Sequence, residues 1–172
     1  MHTSSRALTA MAALLAFTLL GGCDDSLVGS PHFEVAHGIV EWEDPPATPM
    51  PVGSPLVAQA RIEVPDTVQV GESVNVEVVT LAPSACWRED GAEVNAEGNH
   101  VQITAWDRME GPPEAPCALL LGELPRQVEV SFPETGQGTI ALRGRRVVGA
   151  DDVQDPDTGE EHQIEVTVVV VE

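Results

Sequence analysis

The chain has 172 residues and a formal net charge of −20, from 28 acids against 8 Lys and Arg. Such a surface repels phosphate backbones and anionic headgroups, which argues for no nucleic-acid partner and leaves basic residues no part in membrane attachment. The length suits one real core and is short for two comfortable domains.

Met1 to Arg6 is a short polar stretch with one fixed positive charge and no acid, and Ala7 to Leu20 is apolar apart from Thr9 and Thr18. A run this short cannot cross the ~30 Å hydrocarbon core as a helix, which needs about 20 residues. It suits the apolar core of a secretory signal. Leu20-Gly21-Gly22-Cys23 follows. These four residues resemble the lipobox of bacterial lipoproteins, in which small residues precede an acceptor thiol. The resemblance implies that residues 1–22 are a lipoprotein signal peptide and that Cys23 carries a thioether-linked diacylglycerol. One acyl chain holds a protein only marginally, whereas two or more hold it stably, so the lipid on Cys23 would be the membrane anchor. The expected location is the bacterial cell envelope. Asp24-Asp25 matches an inner-membrane retention signal of enteric bacteria, a rule that is not universal, so inner and outer membrane both stay open.

Residues 23–55 read as a tether. Asp24 to Pro31 is small and polar, and Asp44 to Pro55 contains Pro45, Pro46, Pro49, Pro51 and Pro55. Proline at this density forbids helix and favours extended conformations. As a flexible coil the tether spans roughly 30 Å, enough to lift a domain clear of the headgroups. Between these parts, residues 33–42 read as a short strand or a segment that docks on the domain.

From Leu56 to Glu172 the pattern has period two. Leu56, Ala58, Ala60, Ile62 and Val64 alternate with polar neighbours, as do Val74, Val76 and Val78. The same holds for Val101, Ile103 and Ala105, for Val128, Val130 and Phe132, for Ile140 and Leu142, and for Ile164, Val166, Val168 and Val170. Strict alternation marks strands with one face on a core and one in water. Turn signals separate the runs, including Pro65-Asp66, Asp90-Gly91, Gly98-Asn99, Gly111-Pro112-Pro113 and Pro133 to Gly136. No segment after Cys23 sustains a helical period, so residues 56–172 are expected to form an all-β, antiparallel sandwich.

Val64-Pro65-Asp66-Thr67-Val68-Gln69-Val70-Gly71-Glu72-Ser73-Val74-Asn75-Val76 is similar to the opening strands of bacterial immunoglobulin-like domains. Phe132, Thr135-Gly136 and Thr139-Ile140 resemble a late hairpin of that fold. The resemblance implies an immunoglobulin-like β-sandwich and names no ligand.

Two cysteines remain beside Cys23. An even pair in an exported protein reads as a disulfide, here Cys86–Cys117, with two free thiols as the alternative. In antibody-type domains the cysteines lie further apart and a Trp packs on the bridge between sheets. Here Cys86 follows a strand and Cys117 sits in a Pro-rich connection, so the bridge is expected to pin loops.

Candidate sites are few. The acidic run 151–161, with Asp151, Asp155 and Asp157, could supply oxygens to calcium, though Pro156 restricts the loop and the alternating order of a calcium loop is missing. A solvated hairpin tip is the competing reading. Arg143 and Arg145 share a strand face and could grip a carboxylate or sulfate, or pair across strands with the chain's own acids. Trp87 and Trp106 could stack on a sugar, or pack in the core and on the disulfide. No histidine has a metal-ligating neighbour at the right spacing, and no nucleophile elbow is present, so no enzyme is expected. The expectation is a non-catalytic interaction or structural module on a lipid anchor, contacting an envelope protein or a glycan. The alternative is a calcium-dependent or ligand-binding periplasmic protein that uses residues 151–161.

Overall fold

The computed structural model describes residues 34–43, 58–110, 117–118, 121–149 and 158–172. Cys23, the Pro-rich stretch 44–55 and the calcium candidates Asp151, Asp155 and Asp157 lie outside the described residues.

Ten strands follow in chain order: β1 Glu34–His37, β2 Ile39–Glu43, β3 Arg61–Glu63, β4 Thr67–Gln69, β5 Val74–Ala82, β6 Trp87–Glu97, β7 His100–Met109, β8 Gly122–Val130, β9 Gly136–Val148 and β10 Glu160–Val171. Among the described residues there is no helix. The fold is all-β.

Period-two alternation delivers one side of each strand to a common core. Val76 and Val78 of β5 meet Val101, Ile103 and Ala105 of β7, Val128 and Val130 of β8, Ile140 and Leu142 of β9, and Val168 and Val170 of β10. Phe132 and Ile39 complete the cluster. Each large apolar side chain so buried stabilises the fold by about 1.5–3 kcal/mol relative to exposure. Past Val78 the alternation stops, and Val79, Thr80, Leu81 and Ala82 are all buried. This end of β5 is covered on both faces.

The sheet is mixed, which corrects the expectation of a purely antiparallel one. β9 is the hub: it runs antiparallel to β10 along most of its length, and parallel to β7 and to β2 in its first and second halves. β4 also runs parallel to β10. β5 is flanked by antiparallel β3 and β8, and β7 by antiparallel β6 and β1. The reason lies in the connection. After β7 the chain crosses to pair with β5 as β8 and returns running the same way as β7. Alternation has the same period in either direction, so it carries no information about strand polarity.

The span 33–42 overlaps β1 and β2, which part at Gly38. The Gly38 N–H donates to the Ala105 carbonyl and its own carbonyl accepts from Arg145 N–H, both at 2.9 Å, so this residue links β7 to β9. A side chain there would place Cβ 2.5 Å from Thr80 Cγ2 and 2.9 Å from Asp107 Oδ2. Glycine is required by close approach.

Of the turn signals, Gly98-Asn99 forms the two-residue loop between β6 and β7. Asp90-Gly91 instead sits inside β6 as a bulge, where the register with β7 shifts between Glu89 and Ala92. Gly91 takes φ +91°, open to glycine and strained for other residues.

Candidate functional site

Three polar side chains occupy inward positions of three strands: Thr80 on β5, Asp107 on β7 and Arg126 on β8. Arg126 Nη2 donates to Asp107 Oδ1 and, at 2.7 Å, to Thr80 Oγ1. The Thr80 hydroxyl donates in turn to Asp107 Oδ2 at 2.9 Å. Arg126 Nη1 reaches the carbonyls of Trp106 at 2.7 Å and Gly91 at 2.8 Å. One guanidinium therefore ties β8 to β5, β7 and the β6 bulge. Burial pushes the Asp107 carboxyl above the ordinary carboxylate range, and the Arg126 charge and hydrogen bonds oppose that push.

The cysteines form a disulfide, with Cα atoms 5.7 Å apart across 31 residues. Ala85 N–H donates to Ala118 O at 3.0 Å beside it, and Glu110 N–H to Cys86 O at 2.9 Å. The bridge thus holds Cys117 and Ala118 against the start of β6. On the chain-entropy account a loop of this size contributes about 3–4 kcal/mol.

The sequence candidates fall into separate contacts. Trp87 is 3% exposed and packs with Ala36 and Ala82. Arg145 is also buried, with its guanidinium carbon 5.6 Å from the Trp87 ring centroid and Nη1 donating to Thr158 O at 3.2 Å. Arg143 pairs with Glu161. Trp106 is half-buried against His37, with ring centroids 4.4 Å apart. Burial lowers the His37 pKa, with Arg143 and Arg145 adding to the effect and Glu161 and Glu93 opposing it. Trp87 has no exposed face, Trp106 stays partly open, and Arg143 and Arg145 meet different partners.

Cations are largely matched to the chain's own acids. Arg61, Arg88, Arg108, Arg126, Arg143 and Arg146 each meet a carboxylate. Exposed pairs of this kind are worth under about 1 kcal/mol each. Among the described residues no group of three His, Cys, Asp or Glu side chains is arranged to hold a metal.

What stays open is a cleft of about 640 Å³ between β6 and β8. Glu77, Glu89 and Glu129 line it, with Val94 on the β6 side and Arg126 and Gln127 on the β8 side. Gln127 Nε2 donates to Glu77 at 2.8 Å, and Val94 is 44% exposed. β6 is hydrogen-bonded to β7 and β8 to β5, and no ladder joins β6 to β8. Two strand edges therefore border one acidic cleft. A second groove, of about 460 Å³, is lined by Val40, Trp42, Ala58, Leu81, Leu121 and Ile164. The indole N–H of Trp42 is already used, donating to Gly149 O at 2.9 Å.

Sequence reasoning missed the polar triad and the cleft. A signal for the triad exists: Asp107 continues the inward register Val101, Ile103, Ala105, and Arg126 precedes Val128 and Val130 in theirs. Compared with protein-family models, with curated proteins and with solved structures, the chain matches none.

Proposed function

We propose that this chain is an envelope lipoprotein, anchored through lipid on Cys23, whose β-body is a non-catalytic module that binds a partner along the β6–β8 cleft. The observation that carries the reading is the cleft itself, an open space between two strand edges on a body in which buried Thr80, Asp107 and Arg126 are hydrogen-bonded to one another. The Leu20-Gly21-Gly22-Cys23 motif supports the anchor, and the Cys86–Cys117 bridge fits an oxidising compartment outside the cytoplasm. An immunoglobulin-like relationship is part of the proposal. Antiparallel β3–β5–β8 and the parallel β4–β10 pair support it, while the parallel β7–β9 pair departs from an antiparallel sandwich.

The test combines two readouts on full-length protein in cells. Labelled palmitate should enter the wild type and fail to enter Cys23→Ser. A photo-cross-linking residue at Val94 should give a discrete adduct in the membrane fraction, and one at Glu172 should not. Label that survives Cys23→Ser removes the anchor, and a Val94 adduct no different from the Glu172 control removes the module.

A further inference from the structure

We infer that the β6–β8 cleft takes an extended, lysine- or arginine-rich polypeptide segment, which adds as a strand to the free edge of β6. The inference deepens the proposed function and rests on it only for the location of the partner.

The edge comes first. Beyond the Gly91 bulge, Ala92–Glu97 pairs with Ala105–His100 of β7 along one side. Along its other side β6 has no strand partner among the described residues. An unpaired edge presents a row of N–H and C=O groups that another extended chain can satisfy. Arg126 reaches the Gly91 carbonyl at 2.8 Å, so the edge is tied to β8 at the bulge. A helix brings no backbone groups to such an edge; an extended segment does.

Charge selects which segment. Glu77, Glu89 and Glu129 line the cleft, and β6 adds Asp90, Glu93 and Glu97 along its length. Asp90 pairs with Arg108 at 3.0 Å, but Glu89, Glu93, Glu97 and Glu129 have no ion pair among the described residues. A second copy of this chain, at net charge −20, would bring the same acids against themselves, and an anionic polymer would be repelled in the same way. A cationic segment is attracted, and alternate cationic side chains would fall on the cleft side of an added strand.

Arg126 lines the cleft with its side chain only 4% exposed, and its Nε–H has no acceptor among the described residues. Its guanidinium is spent on Asp107, Thr80 and the Trp106 and Gly91 carbonyls, so Arg126 fixes the wall of the cleft and leaves recognition to the open β6 edge and the acids beside it.

The test uses the full-length lipidated chain in detergent and a fluorescent peptide of about ten residues alternating Lys and Val, long enough to span the six-residue edge. Fluorescence anisotropy should show saturable binding that weakens with salt, and no binding of the Glu-Val counterpart. Replacing Glu77, Glu89 and Glu129 together by Gln should weaken binding at least about tenfold. Replacing the exposed Glu134, Glu160 and Glu172 by Gln, which removes the same charge away from the cleft, should change it less than about twofold. A Lys-Val peptide N-methylated at alternate residues keeps its charge and loses its ladder donors, so it should bind about tenfold more weakly. Equal losses in the two triple variants, full binding of the N-methylated peptide, or no binding of the Lys-Val peptide would each overturn the inference. If the Lys-Val peptide fails while the Val94 cross-link persists in cells, the inference falls and the envelope module stands. If the peptide binds as described and the cross-link is absent, the cleft chemistry stands and the cellular role falls.

Discussion

Arg126 and Asp107 form an ion pair closed to solvent, with side chains 4% and 2% exposed, between strands that share no ladder. Because Arg126 also reaches Thr80, Trp106 and Gly91, this pair determines how β8 approaches the β6 bulge and so frames one side of the cleft. The energetics of the fold and the shape of the site meet in one guanidinium.

Removing one partner leaves the other charge buried without compensation, which costs about 3–5 kcal/mol. Arg126→Met and Asp107→Leu should each lower urea-unfolding stability by that amount. The double variant, with both charges gone, should be more stable than either single one. Additive losses would mean that the pair is not coupled.

Gly38→Ala forces Cβ against Thr80 Cγ2 and Asp107 Oδ2, where neighbours must shift. The expected loss is about 1–3 kcal/mol, read as a lowered thermal midpoint. An unchanged midpoint would contradict the close packing of Gly38 over the triad.

Replacing Cys86 and Cys117 together by Ala opens a loop of 31 residues and should cost about 3–4 kcal/mol in urea unfolding. Dithiothreitol should destabilise the wild type comparably and leave the double variant unaffected. Sensitivity of the double variant to dithiothreitol would contradict this pairing.

How much of this was legible in the sequence depends on the residue. Val101, Ile103, Ala105, Ile140 and Leu142 alternate with polar neighbours and lie in the core as the pattern implies. The register also contained Thr80, Asp107 and Arg126 on inward positions, a departure that signals buried polar contacts, yet alternation alone cannot tell which such residues meet. β6 was illegible for the opposite reason: from Arg88 to Glu97 nearly every residue is exposed on both faces, so no alternation marks it as a strand. Its Asp90-Gly91 pair looks like a chain reversal because a glycine-bearing bulge needs the same positive φ as a turn. The cleft could not be read at all, since it is made by β6 and β8 approaching without pairing.

His37 has its pKa lowered, so the folded state favours the neutral ring. Between its folded value and the ordinary histidine value of 6.5 the unfolded chain binds more protons, and stability rises with pH. The His37 contribution is present above pH 6.5 and is lost as pH falls through the folded value. Thermal melts from neutral pH down to about pH 5 should show a steeper decline in the wild type than in His37→Gln. Parallel declines would contradict the shift.

Hydrogen exchange of the full-length chain, with and without the Lys-Val peptide, is the most direct examination of the recognition edge. Slower exchange on peptide addition is predicted at amides of Ala92–Glu97, with β3 and β10 unchanged. Protection spread evenly over the chain, or none along β6, would contradict the assignment of that edge as the binding surface.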